Sequence, residues 1–467
     1  MAANPDSGNM LPVANPTLSY WRSELHRLDS HRSTPNLPEE SEIVIIGAGI
    51  AGVSVAYHLS NTPNPPHVLL LEARQTCSGA TGRNGGHIKS KTTTLMKMTD
   101  KFGVAAADEW ARFVWAQTPA LKEVIEREGI DCEFELRRSY DVFKSESEAA
   151  RLEAKWKEYL AKGCEWTSNV LWTGTEFAER LTSIKGAKGA FSVPSCSLWP
   201  YKFVTGLLEK AMGKNTGLNL QTETPVSSVQ TNQDGTTVIH TSRGSVKAKR
   251  VVFATNAYSA ALLPEYRGVI TPYKGIATHL AAEDGWEPVF PHLSHTYNID
   301  FGLVPGSETV DYLNPRPDGG IVVGGGNWIF RDQRELWYDT VDDSTLLEPI
   351  VKANYFGGYM QRNFNGWQDS GTGIEKIWTG IQGATPDGLP HIGKVPGKQA
   401  QWILAGFNGG GMALSFLSAK AVATMALGDV PFDQSGVHVP SLFETTEERL
   451  RQIVSAPGYR PRDINVR

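Results

Sequence analysis

Residues 43–52 read Ile43-Val44-Ile45-Ile46-Gly47-Ala48-Gly49-Ile50-Ala51-Gly52, and this stretch decides the fold. Four apolar residues in a row mark a short strand buried on both faces. The glycines follow at once, and Val53 to Leu59 then read as a helix. A second apolar run, Val68-Leu69-Leu70-Leu71, ends in Glu72, twenty positions after Gly52. Each part suits a dinucleotide. Gly47 permits a tight turn, Gly49 lets the backbone approach a pyrophosphate, and Gly52 lets helix and strand pack closely. The helix start offers unpaired N–H groups and partial positive charge to phosphates, and Glu72 is placed to accept from ribose hydroxyls. A lone Gly-x-Gly-x-x-Gly is a weak signal; strand, glycines, helix, second strand and acid in that order make a strong one.

The chain has 467 residues, 40% hydrophobic and 20% charged, enough for two or three domain-sized units with ample core. A net charge of −5 without any basic block speaks against nucleic acid or an anionic membrane surface as a partner. No run approaches the roughly 18 apolar residues of a membrane span. The N-terminus lacks a signal-peptide pattern, and the ending Ile464-Asn465-Val466-Arg467 is not a peroxisomal signal. The expected location is the cytoplasm. Cys77, Cys132, Cys164 and Cys196 show neither metal-ligand spacing nor a disulfide framework, and no metal site is expected.

Residues 1–39 are rich in Pro, Asn and Ser and read as an extended arm over the surface, with Tyr20 and Trp21 as anchors. After Glu72 comes Cys77-Ser78-Gly79-Ala80-Thr81-Gly82-Arg83-Asn84-Gly85-Gly86-His87. Such glycine density means positive φ or close approach to something. A mobile surface loop has a similar composition, but the position directly after the ribose acid favours a loop that wraps a cofactor. An amphipathic helical pattern runs from Thr94 to Glu128, strands fall within Glu133–Lys144, and helices return over 146–162, 175–182 and 200–214. Strands follow to Thr241, then Gly244–Ala248 and the buried run Val251–Ala257, with more over 271–326. Near the end, Trp402-Ile403-Leu404-Ala405 leads into Gly406-Phe407-Asn408-Gly409-Gly410-Gly411-Met412 and a helix over 413–426. Two helix starts aimed at one ligand suit a long anionic cofactor.

These residues together resemble the D-amino-acid-oxidase-like FAD-dependent oxidoreductases, a family that includes sarcosine and γ-glutamylputrescine oxidases. The resemblance covers nearly all of the chain after the arm. It rests on Gly47 to Gly52, Glu72-Ala73-Arg74, Ser78 to Gly86, Val226, Val252 to Tyr258, Thr385 to Gly393 and Gly406 to Met412. The Gly-Arg-Asn-Gly-Gly form of the loop is most similar to the γ-glutamylputrescine-oxidase-like branch. The fold implied is α/β: a Rossmann-like FAD-binding domain (40–100, 190–270 and 371–467) interleaved with an α+β substrate domain built on an antiparallel sheet (101–189 and 271–370). The cofactor implied is FAD. Gly47, Gly49, Ile50, Ala51 and Gly52 would hold its diphosphate, and Glu72, Ala73 and Arg74 would flank the adenosine ribose. Ser78, Gly79, Ala80, Thr81, Gly82, Arg83, Asn84, Gly85, Gly86 and His87 would wrap the pyrophosphate and reach toward the flavin. Val226 would meet the adenine through its backbone, and Ala254, Thr255 and Asn256 would close over the phosphates. Gly383, Gly406, Phe407, Asn408, Gly409, Gly410, Gly411 and Met412 would border the flavin. There the helix start can stabilise negative charge on the reduced ring.

The reaction implied is oxidation of a C–N bond in a small amine or N-substituted amino acid. Hydride passes to flavin N5, the imine hydrolyses, and O2, the expected acceptor, becomes H2O2. A flavin dehydrogenase or a secondary-metabolite tailoring enzyme on the same scaffold is the alternative. Monomeric sarcosine oxidases attach FAD through a Cys; Gly380 falls near that place, so non-covalent FAD is expected here. They also use a Lys above the flavin for O2, and the matching strand, Ile321 to Gly326, has none. Lys274 is a second candidate for that role, or a structural lysine. His87 either faces the flavin as a proton carrier or fixes the loop by bonding backbone. His391 reads as structural, and Arg83 is the loop's best cation, with phosphate as its expected partner. Trp328, Trp378, Tyr297 and Tyr312 are candidates to cage a cationic amine, or core.

Overall fold

The computed structural model describes residues 10–232, 235–303 and 309–455. The first nine residues of the arm, and the tail that includes Ile464 to Arg467, lie outside the described residues. Two sheets carry the fold. In the first, Gln401–Ala405, Gly244–Phe253, Glu40–Ile46, Val68–Leu71 and Leu218–Gln221 lie side by side and parallel. Their apolar runs are continuous because both faces are covered. Ile43, Ile45, Val68 and Leu70 enter the core shared with the helices Ile50–Ser60, Pro200–Lys214 and Gly411–Gly428. Val44, Ile46, Leu69 and Leu71 enter a second core with Val246, Tyr266 and Ile453.

The second sheet is mainly antiparallel and nine-stranded. Its central strands run in the order Thr372–Ala384, Thr271–Ala282, Ile321–Gly324, Val310–Pro315, Thr296–Asp300, Glu135–Phe143 and Gly189–Ser197, and the short strand His87–Ile88 forms one edge. One face packs on the Leu347–Lys352 and Tyr359–Asn363 helices through Ile276, Ile299, Leu313, Val323, Ile350 and Phe364. The other face looks toward the first sheet.

Several boundaries differ from the sequence expectation. Gly189–Ser197 and Thr372–Ala384 belong to the second sheet, whereas the resemblance places 190–270 and 371–467 in the FAD domain. The Val104–Glu128 helix packs instead on the first domain, where Gln117 Oε1 accepts from Leu417 N at 3.2 Å. Apolar periodicity reports which side of an element is buried but not which neighbour buries it. The helical pattern over 94–128 is two helices, Thr92–Phe102 and Val104–Glu128, broken at Gly103 with φ +88°. Most of the arm's described residues are exposed or half-buried, while the two anchors go in: Trp21 is wholly buried and Tyr20 nearly so. Gly411–Gly428 is long and apolar enough to cross a bilayer, contrary to expectation, yet most of it is buried as core. All four cysteines are free and buried.

The central parallel strands carry the stability of the first domain. Leu70→Ala, a fully buried truncation, should cost roughly 2–5 kcal/mol. Leu136→Ala on an exposed strand position should cost less than about 0.5 kcal/mol. Denaturant midpoints of the two variants check the contrast.

Candidate active site

In an open parallel sheet, ligands gather beyond the carboxyl ends of the strands. Here the turns after Glu40–Ile46, Gly244–Phe253 and Gln401–Ala405 open side by side on that edge, and Glu72 closes the row after Val68–Leu71. Gly47 has φ +107°, and a Cβ on it would stand 2.6 Å from the Ala254 carbonyl oxygen. A Cβ on Gly52 would stand 1.9 Å from the Gly47 oxygen, and one on Gly49 would stand 2.9 Å from Thr81 Oγ1. Thr81 Oγ1 accepts from Ile50 N at 3.1 Å, tying the glycine loop to the helix start. Ala51 and Gly52 complete that first turn, whose N–H groups have no acceptors within the helix.

The Glu72 carboxylate accepts from Ala48 N and Arg74 N, each at 2.9 Å, which fixes it at the crevice edge beside half-exposed Ala73. Glu72 O and Arg74 O accept from Thr224 N and Glu223 N, which brings the start of the Val226–Thr231 strand alongside. Asn256, at φ +41°, accepts from Gly406 N and Phe407 N at 3.0 and 3.3 Å, so two of the turns are stitched together. Thr255 bonds Ser259 at 2.8 Å. Asn408 braces its own turn, accepting from Thr385 N and donating to Gly406 O at 2.7 Å each, while its N–H donates to Gly383 O. Gly409 is exposed; Gly410 caps the Gly411–Gly428 helix, and Met412 is buried in its first turn.

The Ser78–Gly86 loop lies between this edge and the second sheet. Ala80–Arg83 form a 3-10 turn, and the buried Ser78 Oγ has no partner among the described residues. A Cβ on Gly85 would strike the Tyr312 ring at 2.5 Å. Arg83 and Arg74 do not stand ready for phosphate and ribose. Both guanidinium groups bond Asp343, at 3.0 and 3.3 Å, with all three side chains almost completely buried. No motif surrounds Asp343, and the pairing spans far more sequence than local pattern can reach.

Side chains alternate along strands, and this sorts the remaining candidates. Tyr312 and Asn314 face the loop, with Asn314 donating to Gly85 O at 2.8 Å. His87 meets the Tyr312 ring at 5.3 Å, near the start of the Gly411–Gly428 helix. Its Nδ1 has no partner among the described residues, and burial holds the imidazole neutral, its pKa well below the usual value. Lys89, just past the His87–Ile88 strand, donates to Ser139; burial lowers its ammonium pKa to about 7. Tyr273 donates to Gln382 Oε1 at 3.1 Å, and both approach the Gly409 turn. Lys274, next in the strand, points the other way. It donates to Leu336 O at 3.1 Å and to Thr345, and burial lowers its pKa to about 8. Lys274 therefore sits behind the sheet and not in the crevice.

The aromatic cage does not form. Trp378 is fully buried and donates to Arg83 O, Tyr297 packs on Phe364, and Trp328 lies against Tyr355; of the four only Tyr312 borders the crevice. His391 is fully buried and bonds Thr445 Oγ1 at 3.0 Å. Sequence reasoning missed Lys89, Tyr273, Gln382 and Asp343.

Glycine turns, fixed acid and facing sheet define a dinucleotide-binding oxidoreductase with an interleaved second domain. The model for the DAO family of FAD-dependent oxidoreductases matches residues 42–425, and the chain belongs to that family. It is 23% identical to γ-glutamylputrescine oxidoreductase of Escherichia coli over 88% of this chain and 89% of that one. Glycine oxidase from Geobacillus kaustophilus superposes with a TM-score of 0.66 at 19% identity, covering 88% of this chain and 99% of that one. L-Proline dehydrogenase from P. horikoshii gives 0.65 at 22% identity, covering 87% and 98%. The protein is an FAD-dependent oxidoreductase. The glycine cradle, the fixed Glu72 and the unpartnered Ser78 Oγ all fit that cofactor.

Gly52→Ala forces helix and strand apart and should weaken FAD binding about tenfold or more, the scale of a core overpacked by ~1–3 kcal/mol. Gly213→Ala, with open space around it, should leave FAD binding unchanged. Flavin fluorescence titration of the apoproteins measures both.

Proposed function

We propose that this enzyme oxidises the C–N bond of a small amine or N-substituted amino acid, holds FAD without a covalent link, and passes electrons to O2. Bound FAD would supply the hydride acceptor. The observation that carries the reading is the set of side chains about the glycine turns: Tyr312 lies against Gly85, His87 against Tyr312, and Tyr273 and Gln382 against Gly409, with Lys89 bonded to Ser139, and no carboxylate is among them. Asp141 is taken by Thr92 N and Asn298 at 2.8 and 2.7 Å, and Asp311 faces Tyr355 and Tyr359 on the far side. Such a set does not stabilise a substrate ammonium. It receives the neutral amine, the form that gives up hydride from the adjacent carbon. Burial keeps the Tyr273 and Tyr312 hydroxyls protonated, so they can orient the amine nitrogen. Lys89 can pair with an anionic substituent, and the names of the glutamyl-amine and amino-acid relatives support substrates of that kind. Non-covalent FAD is supported by Gly380, which falls near the place of the attaching Cys, and by the burial of Cys77, Cys132, Cys164 and Cys196.

The second reading is a dehydrogenase or tailoring enzyme on this scaffold. The placement of Lys274 behind the sheet favours it, as does the name of the proline dehydrogenase neighbour. An anaerobic screen of amines, N-methyl amino acids, amino acids and hydroxy acids, read as flavin bleaching and followed by admission of air, separates the readings. Bleaching by amines with peroxide on reoxidation is expected. Bleaching by amines without peroxide selects the dehydrogenase, and bleaching by hydroxy acids alone ends the C–N reading.

Lys89 adds a pH signature. Its ammonium is present below about pH 7 and lost above it, so a carboxylate inhibitor that carries no amine should bind tightly on the acid side and weaken as pH passes about 7. Lys89→Met should weaken that inhibitor about tenfold on the acid side, the scale of a lost charged hydrogen bond, and flatten the inhibition profile with kcat little changed. Steady-state kinetics across pH test it.

A further inference from the structure

Among the described residues the Ser78–Gly86 loop pairs in no strand ladder, so its buried carbonyls must find donors elsewhere. Four consecutive ones are met by side chains. Ser19 Oγ donates to Gly82 O at 2.5 Å, Trp378 Nε1 to Arg83 O at 2.9 Å, Trp21 Nε1 to Asn84 O at 2.6 Å and Asn314 Nδ2 to Gly85 O at 2.8 Å. Two of these donors come from the second sheet and two from the arm. The arm also reaches two cations, Arg83 of the loop and Arg74 ahead of it. Arg83 Nη1 donates to Thr17 Oγ1 at 3.2 Å and Arg74 Nη1 to Val13 O at 3.3 Å, while Thr17 donates to Thr379 O at 3.1 Å. A Cβ on Gly86 would strike the Trp21 ring at 2.8 Å, so loop and arm touch without a gap.

The arm is itself anchored to the second domain and to the helix behind the loop. Trp199 Nε1 donates to Trp21 O at 2.6 Å, the Tyr20 ring stacks on His279 with centroids 3.6 Å apart, and Arg316 lies 5.0 Å over Trp21. Lower down, Arg22 binds Asp29, which also accepts from Tyr201 at 2.8 Å. The arm is therefore fastened on the side away from the loop, and the loop is fastened to the arm.

We propose that the N-terminal arm is a working part of the cofactor site. Ser19 and Trp21, with Thr17 acting through Arg83, are positioning residues that hold the loop in its FAD-binding shape. FAD then leaves only when the arm lifts. Removing one arm donor leaves a buried loop carbonyl unpaired, which favours a loop shape that reaches water. By linkage, whatever the arm contributes to FAD binding, bound FAD returns to the order of the arm. The inference rests on the cofactor assignment and is independent of the substrate.

Two measurements test it. On the unmodified protein, amide exchange over residues 17–23 should slow when FAD binds to the apoprotein; equal exchange with and without FAD would overturn the proposal. In the Thr17→Val/Ser19→Ala double variant, FAD release from the holoenzyme, followed as free-flavin fluorescence after dilution, should be about tenfold faster, the scale of one buried acceptor left unpaired. Restoring a hydroxyl at position 17 with Thr17→Ser should recover part of the loss. Unchanged release, with apo- and holoprotein losing equal thermal stability, would reduce the arm to packing and overturn the proposal. An unmodified protein that binds no FAD would end the cofactor assignment as well, and the two failures are therefore distinct.

Discussion

The first domain depends on one close approach, between the Cα of Gly52 and the carbonyl of Gly47. Any side chain at Gly52 would push the Ile50–Ser60 helix off the Glu40–Ile46 strand. With the helix seated, its first turn opens on the same edge as the turns at Ala254–Asn256 and Gly406–Gly410. Asn256 then joins two of those turns through the N–H groups of Gly406 and Phe407. A row of backbone donors is thereby fixed in place before any ligand arrives, so little reorganisation remains for binding.

What was legible in the sequence was what is local. The opening strand, its glycines, the helix and Glu72 lie within one short stretch, and each has a reason that neighbours in sequence supply. The C-terminal turn repeats that logic and could be read in the same way. The glycine density of the Ser78–Gly86 loop also announced close contact, although the contacting groups, such as the Tyr312 ring against Gly85, are distant in the chain. Family, fold class and FAD all followed from these local signals.

Strand parity and single polar partners were less legible. In a strand buried on both faces, apolar residues do not reveal which side meets the crevice, so Lys274 and Tyr273 could not be told apart. Asp343 sits in an unremarkable acidic stretch, yet it answers Arg74 and Arg83 from the other domain. Tyr20 and Trp21 were visible as anchors, but a Pro-, Asn- and Ser-rich segment gives no hint that it will supply donors to a loop sixty positions away. The boundary strands Gly189–Ser197 and Thr372–Ala384 pass from one layer to the other, which no composition shift marks.

The arginine pair that shares Asp343 has a mechanical meaning. Two cations rooted in one lobe grip a single anion rooted in the other, out of reach of water. Rocking the lobes apart would strip that anion from both at once, and stranding buried charge in this way is strongly unfavourable. Any hinge that separates the lobes must break both of these bonds first.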